Sequence, residues 1–398
     1  MVASSSKTDG SPGEVICHWN INRLTRCSSR QLILVWPVIK FLILSSCAIY
    51  FIIFIQWHNN YYRQTDLHGS LTMTVDRATC CLSANQQEDI CGRKNCTFTC
   101  TEPEPSIPEL ESDPANFNRD RAFFIETSGS GGLSVRQACA VESLALHNPN
   151  LTVYVLFVNV KINTSLDTVQ ELEKKYNNVH LISINLDDYM AGTALEHWYH
   201  CSDWRNGFYV NNLSNGLRLL TLSKYGGYYF DLDIISVRPV TYYRNFVAAQ
   251  DGNDINNDVI HADLNNPVIQ LAIKDFIINF KPDVWGHNGP SMILRVLQNW
   301  CNVGNLTSMD YVTCRGFNVL PTSSFHPVHY SKMNELFIRR MANETDTLSD
   351  WLTEKVIGVH IWNKLSKDQP IYKNSTQDYN RLARDHCPAN FAIAPETF

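Results

Sequence analysis

From about residue 117 onward, the chain alternates between short apolar runs and stretches whose apolar positions recur at helical spacing. RAFFIE (Arg121–Glu126) reads as a buried strand, and SVRQACAVESLALH (Ser134–His147) as a helix with Ser134 as its N-cap. LTVYVLFV (Leu151–Val158) and VHLISINL (Val179–Leu186) predict further strands, with a helix over Ser165–Tyr176 between them. A helix over Leu213–Tyr225 stops at Gly226-Gly227, and YYFDLDIISVR (Tyr228–Arg238) resumes as strand. Another helix is expected over Ser291–Trp300. Strands alternating with helices of this length predict an α/β fold with a mostly parallel central sheet and helices on both faces. Such sheets bind ligands at the carboxyl ends of their strands. No GxGxxG or GxxxxGK[ST] is present, so neither a dinucleotide fold nor a P-loop is supported.

One apolar run differs from all the others. LILVWPVIKFLILSSCAIYFIIFIQW (Leu32–Trp57) carries a single charge, Lys40, and exceeds the roughly 20 residues a helix needs to cross a bilayer. Arg23, Arg26 and Arg30 precede it, which places the N-terminus in the cytosol and everything after Trp57 across the membrane. The expected organisation is a cytosolic tail (1–31), a transmembrane signal-anchor helix (32–57), a cysteine-rich luminal stem (58–116) and a luminal domain (117–398). The stem ends in TEPEPSIPELESDP, a Pro/Glu run that favours extended backbone.

Composition agrees with that topology. Asn-X-Ser/Thr sequons fall at Asn95, Asn150, Asn163, Asn212, Asn305, Asn343 and Asn374, all beyond the apolar run; each is an acceptor only where it is exposed in a secretory lumen. Ten of the 13 cysteines also lie on that side, where disulfides persist. The Cys80–Cys100 cluster lacks paired CxxC knuckles and reads as disulfide rather than zinc, and Cys301 and Cys314 are spaced to close a local loop. A formal charge of −6 argues against a nucleic-acid partner.

The candidate chemistry sits in KYGGYYFDLDIISVRPV. Asp231 and Asp233 interrupt an aromatic and aliphatic run. On a strand, residues two apart point to the same side, so the two carboxylates would stand together at a sheet edge. Adjacent like charges there are costly unless neutralised, and a divalent cation does so. Oxygen ligands favour a hard ion, Mn²⁺ or Mg²⁺, able to bind a diphosphate. A glycosidase pairing of the same acids is disfavoured, because same-side carboxylates cannot flank a glycosidic bond.

GGYYFDLD resembles the Asp-X-Asp signature of nucleotide-sugar-dependent glycosyltransferases with the GT-A fold. More narrowly, the chain resembles the α-1,4-glycosyltransferase family, which takes in lactosylceramide α-1,4-galactosyltransferase (globotriaosylceramide synthase) and α-1,4-N-acetylglucosaminyltransferase. The similar segments are FFIETSG (Phe123–Gly129), RQACAVESLALHNPN (Arg136–Asn150), GLRLLTLSKYGGYYFDLD (Gly216–Asp233), WGHNGPSMILRVLQNWC (Trp285–Cys301) and VHIWNKLS (Val359–Ser366).

The resemblance implies a GT-A-like domain and a single-pass type II protein of the Golgi membrane. Its activity would pass a hexose or N-acetylhexosamine from a UDP-sugar to a glycolipid or glycoprotein acceptor, in α-1,4 linkage and with retention. It leaves room for homo-oligomers or hetero-oligomers with other Golgi transferases. Asp231 and Asp233 would be the catalytic pair and, with His360, the metal ligands. Donor contacts would come from Glu126, Thr127, Ser128, Asn215, Arg218, Asp231, Asn288, Gly289 and Trp362. Trp285–Pro290 would form a loop beside the donor sugar or acceptor, while Trp198 and Trp204 are expected in the core. Two departures stand out: Asn215 occupies a position where many relatives carry Asp, and INNDVIHADLNNP (Ile255–Pro267) only loosely matches the expected Asn-Gly loop. The first opens an alternative: a catalytically silent relative that partners or assembles active transferases.

Overall fold

The structure is a computed structural model describing residues 120–158, 160–339 and 350–398. The expected tail, signal anchor and stem, the Cys80–Cys100 cluster, Asn95 and Asn343 lie outside the described residues. No helix among the described residues is long and apolar enough to cross a membrane.

The predicted alternation is present. In chain order the elements are β1 (Arg121–Glu126), α1 (Val135–His147), β2 (Thr152–Val158), α2 (Asp167–Lys175), β3 (Val179–Ile184), α3 (Leu186–Met190), α4 (Glu196–Cys201), α5 (Tyr209–Tyr225), β4 (Gly227–Phe230), β5 (Ile234–Ser236), β6 (Phe246–Ala249) and β7 (Ile255–Ala262). Then follow α6 (Pro267–Ile278), α7 (Pro290–Cys301), β8 (Asn318–Leu320), β9 (Gly358–His360), α8 (Asn363–Ser366), α9 (Asp378–His386) and α10 (Pro388–Ile393). Ser134 caps α1 as expected: its side chain accepts from the Gln137 amide, and the Gln137 side chain accepts from the Ser134 amide.

Seven strands form one sheet in the order β3-β2-β1-β4-β7-β6-β8. β3, β2, β1 and β4 pair in parallel, β7 runs antiparallel to both its neighbours, and β6 pairs with β8 in parallel. The sheet is therefore mostly parallel. Alternate strand residues feed two cores. Phe123, Tyr154, Tyr229 and Ile260 pack with Leu217 and Leu220 of α5, Ile269 and Phe276 of α6 and Met292 of α7. Ala122, Phe124, Val153, Tyr228 and Val259 pack with Val141 and Leu144 of α1 and Leu172 of α2. Trp198 and Trp204 lie in the first core, as expected. A third core gathers β5, β9 and the C-terminal helices around Ile235, Val359, Tyr379 and Leu382. The Cys139–Cys387 disulfide joins α1 to the start of α10, and Cys301–Cys314 closes the local loop expected from spacing.

Two expectations are corrected. Tyr228–Arg238 is not one strand. β4 ends at Phe230, the chain turns through Asp231-Leu232-Asp233, and β5 joins a separate two-stranded sheet with β9. The turn is marked by the Ile234 amide donating to the Asp231 carbonyl at 3.3 Å. The two carboxylates are thus presented by a turn between sheets, not by one face of a strand. Likewise Ile255–Ala262 is a fully buried strand rather than a loop. It is held between β4 and β6, and that tertiary pairing overrides the turn tendency of its Asn-Asn-Asp run.

Candidate active site

Helix α5 delivers Arg218, and its end sets where β4 starts. Gly226 and Gly227 both have positive φ, and a Cβ on Gly227 would come within 2.5 Å of the Arg121 carbonyl. Only glycine lets β4 start that close to β1. Arg218 is 4% exposed, so it is no surface arginine. It donates to the Asn257 carbonyl at 2.6 Å and to Ser214 Oγ at 2.7 Å, and pairs with Asp231 Oδ1 at 3.1 Å. The Tyr229 hydroxyl donates to the same Asp231 oxygen at 2.6 Å, with the Arg218 guanidinium 4.5 Å from the centre of the Tyr229 ring.

Asp233 turns toward the smaller sheet. Its Oδ1 lies 3.1 Å from His360 Nε2, and its Oδ2 accepts from the Asn363 amide at 2.9 Å. Register places His360 opposite Ile234 across the β5–β9 pair, so the ring is carried to the turn by backbone pairing. Trp362, in the left-handed region at φ 56°, redirects the chain into α8 and meets the His360 ring edge-on, with ring centres 4.0 Å apart. Its indole N–H is spent on the Val328 carbonyl at 2.8 Å, so Trp362 presents an aromatic wall rather than a donor.

The charges explain one another. Burial pushes the Asp231 carboxyl up, Arg218 pulls it back, and the like charges of Asp233 and Asp258 push again, leaving it at about 6. For Asp233 burial acts in the same direction, but the His360 imidazole and the Asn363 amide outweigh it and hold the group below its ordinary range. Burial disfavours charge on His360, yet Asp233 and then Asp258 overcome it and raise the ring to about 9. With His360 neutral, as a ligand must be, the Asp231, Asp233 and Asp258 carboxylates outnumber the Arg218 guanidinium, and a divalent cation complements the surplus. The donor set fits such an ion: carboxylate oxygens plus one imidazole suit Mn²⁺. The 3.1 Å between Asp233 Oδ1 and His360 Nε2 is close to the spacing of about 3 Å between adjacent ligands on an octahedral ion with bonds of about 2.1 Å.

The remaining expected residues divide. Asn215 Oδ1 accepts from Asn257 Nδ2 at 2.9 Å. Gly289 sits against this pair, where a Cβ would fall 2.8 Å from Asn215 Oδ1, so its lack of a side chain is required. Both are thereby tied to Asn257, which holds Arg218. Asn288 is turned inward: it accepts from the Lys281 amide and donates to the Lys281 carbonyl and Asn212 Oδ1, bracing its loop. Glu126 is 2% exposed, and its two oxygens accept from the Ser128, Gly129 and Ser130 amides, shaping the loop after β1. Ser128 is exposed on that loop, and Thr127 donates to the Val210 carbonyl at 3.3 Å.

Two residues of the cluster were missed from sequence. Asp258 is fully buried on β7, its backbone carbonyl accepting from the Asp231 amide at 2.8 Å and its Oδ2 lying 2.7 Å from His326 Nε2. Burial pushes it up, but His326, His360 and Arg218 together outweigh burial and hold it at about 2. His326 Nδ1 lies 2.9 Å from the Ala249 carbonyl. Asp258, His326 and His360 bring ligand atoms within 4.8 Å of one another. Asp258 sits in an Asn-Asn-Asp run that locally favours a turn, so neither it nor His326 carried a local signal.

Residues 134–258 match the glycosyltransferase sugar-binding region containing DXD motif, and residues 261–394 match the alpha 1,4-glycosyltransferase conserved region. Among curated relatives, lactosylceramide 4-alpha-galactosyltransferase of Rattus norvegicus is 27% identical over 295 residues, spanning 73% of this chain and 78% of that protein. The Homo sapiens enzyme of that name is 27% identical over 73% of this chain and 80% of its own. Alpha-1,4-N-acetylglucosaminyltransferase of Homo sapiens is 25% identical over 69% of this chain and 80% of its own. A solved galactosyltransferase in complex with donor and acceptor sugar analogs aligns at 15% identity and a TM-score of 0.39, covering 69% of this chain and 98% of that one. The chain is an enzyme, a glycosyltransferase, and over residues 134–258 it resembles the DXD-containing class. Within it, the resemblance to the α-1,4-glycosyltransferase family holds on both sides of the Asp231–Asp233 turn.

Proposed function

We propose that the protein is a Golgi type II membrane glycosyltransferase, moving a hexose or N-acetylhexosamine from a UDP-sugar to the terminal sugar of a glycolipid or glycoprotein. The linkage is α-1,4, the anomeric configuration is retained, and the reaction depends on Mn²⁺ or Mg²⁺. The observation that carries this reading is the Asp231–Asp233 turn, gripped by Arg218 on one side and His360 on the other. The names of the relatives support the linkage and the acceptor class, and the Leu32–Trp57 run with its downstream sequons supports the topology.

Asp231, Asp233 and His360 would hold the ion. When bound, it supplies charge compensation for the departing diphosphate. Arg218 and Tyr229 fix the Asp231 carboxylate in one orientation, and the Asn363 amide does the same for Asp233. Trp362 and the buried Asp258 layer behind them shield this charge from water, which strengthens each contact. No side chain is assigned as a nucleophile. Catalysis rests on positioning, with the leaving phosphate assisting deprotonation of the acceptor hydroxyl.

The test is UDP release by the purified protein with Mn²⁺ and UDP-galactose, UDP-N-acetylgalactosamine or UDP-N-acetylglucosamine, offered with lactose-type and β-linked N-acetylhexosamine acceptors. Turnover that needs the divalent ion and is lost in Asp233→Asn with the fold retained supports the reading. Divalent-dependent UDP binding without turnover on any pair favours the silent relative, for which Asn215 is the specific observation.

A further inference from the structure

We propose that Asp258 is a positioning residue that orients His360 toward the metal site, so that Asp258, His360 and the ion form a carboxylate–histidine–metal relay anchored by His326. The inference rests on the divalent-ion reading above and adds residues that reading does not contain.

The geometry of His360 carries it. Its Nε2 faces Asp233, the metal side, at 3.1 Å. Its Nδ1 is buried with no hydrogen-bond partner, in a residue 7% exposed, and looks at Asp258 Oδ2 at 3.6 Å. An imidazole can ligate through Nε2 only if that nitrogen keeps its lone pair, which puts the proton on Nδ1. That N–H then needs an acceptor, and Asp258 Oδ2 is the carboxylate facing it. Closing the remaining few tenths of an ångström satisfies the orphaned nitrogen and selects the ligating tautomer at once.

Asp258 is itself held so that it can do this. Its Oδ2 also meets His326 Nε2 at 2.7 Å, and His326 is fixed from behind at the Ala249 carbonyl, 2.9 Å from Nδ1. Its Oδ1 accepts from the Val259 amide at 2.9 Å. Through its backbone carbonyl Asp258 receives the Asp231 amide at 2.8 Å. One residue thus fixes the Asp231 end of the carboxylate turn and aims the histidine opposite.

The experiment titrates the full-length protein in detergent with Mn²⁺ alone, following free Mn²⁺ by electron paramagnetic resonance and ¹⁴N coupling to bound Mn²⁺ by ENDOR. Wild type, Asp258→Asn and the neutral pair Asp258→Asn/His326→Gln are compared, with circular dichroism confirming the fold; the paired variant avoids leaving a buried histidine facing an amide. Expected is one coupled nitrogen in wild type. Expected for the folded variants is a 10–100-fold loss of Mn²⁺ affinity with an altered nitrogen coupling. Folded variants that bind within twofold of wild type, or with unchanged coupling, overturn the proposal. So do two coupled nitrogens in wild type, which would make His326 a direct ligand. Absence of Mn²⁺ binding in wild type sinks instead the divalent-ion reading on which this one stands.

Discussion

Replacing Arg218 by methionine removes the cation that opposes the clustered carboxylates while keeping a side chain of similar reach. Arg218 is 4% exposed and stands 3.1 Å from Asp231, so at an effective dielectric of about 20 the gross attraction is about 5 kcal/mol. Much of that offsets the cost of taking both charges out of water. Breaking one side of a buried pair nonetheless costs about 3–5 kcal/mol, because the remaining charge is stranded. Here the stranded charge is Asp231, already lifted to about 6 with Asp233 and Asp258 pushing it up. Arg218→Met should therefore destabilise the ion-free protein by about 3–5 kcal/mol at neutral pH. Adding Asp231→Asn removes the stranded carboxylate and should restore about 2–3 kcal/mol, so the double variant costs clearly less than the two singles together. Urea unfolding of all four proteins in EDTA measures the cycle. Additivity within about 0.5 kcal/mol would refute the argument, since it would mean that Arg218 and Asp231 do not feel each other.

Three further outcomes follow from other parts of the molecule. His261 is 1% exposed, and burial first, then Arg244, holds it at about 4; the folded state therefore resists a proton that the unfolded chain takes up near 6.5. Its contribution is intact above about 6.5 and falls by up to about 3 kcal/mol as pH drops toward 4, and His261→Phe should flatten that part of a stability–pH curve. The fully buried Glu142 carboxylate accepts from the Tyr176 hydroxyl, the Ala389 and Asn390 amides and Asn390 Nδ2 at 2.7–2.8 Å. Glu142→Ala should cost about 3–5 kcal/mol in urea unfolding, whereas a loss under 1 kcal/mol would show that the α10 end is not held this way. Asn212 is 3% exposed, with Nδ2 directed at the Pro282 carbonyl at 3.1 Å, so its sequon should stay unmodified in peptide mass mapping while the exposed Asn150, Asn163, Asn305 and Asn374 remain available.

The sheet was legible because its strands are short, apolar and bounded by glycine and polar turns; β1 runs over the predicted residues, and β2, β3 and α7 fall within two residues of expectation. The break at Asp231 was not, since Tyr228–Arg238 is apolar on both sides and nothing local reveals that its halves join different sheets. The start of α5 was missed by four residues because Asn211 and Asn212 favour turns, whereas here Asn212 is buried and bonded to neighbouring carbonyls. At the site, Asp231, Asp233, Arg218 and His360 are legible from the motif, and the structure joins them as two pairs, Arg218 with Asp231 and His360 with Asp233. Asp258 is hidden by the turn tendency of its Asn-Asn-Asp run, and His326 because pairing across 68 residues leaves no trace in either local segment.

The split origin of the carboxylate turn has a consequence for chain length. Asp231 and Asp258 are furnished by the large sheet, but His360 and the Asn363 amide arrive on the two-stranded sheet formed late in the sequence. The clasp around the turn is therefore closed by roughly the last tenth of the polypeptide. A premature stop just after residue 357 would spare every strand of the larger sheet while deleting one jaw of the clasp. The product of such a message would lack the His360 and Asn363 contacts to Asp233 even where the bulk of the scaffold assembled.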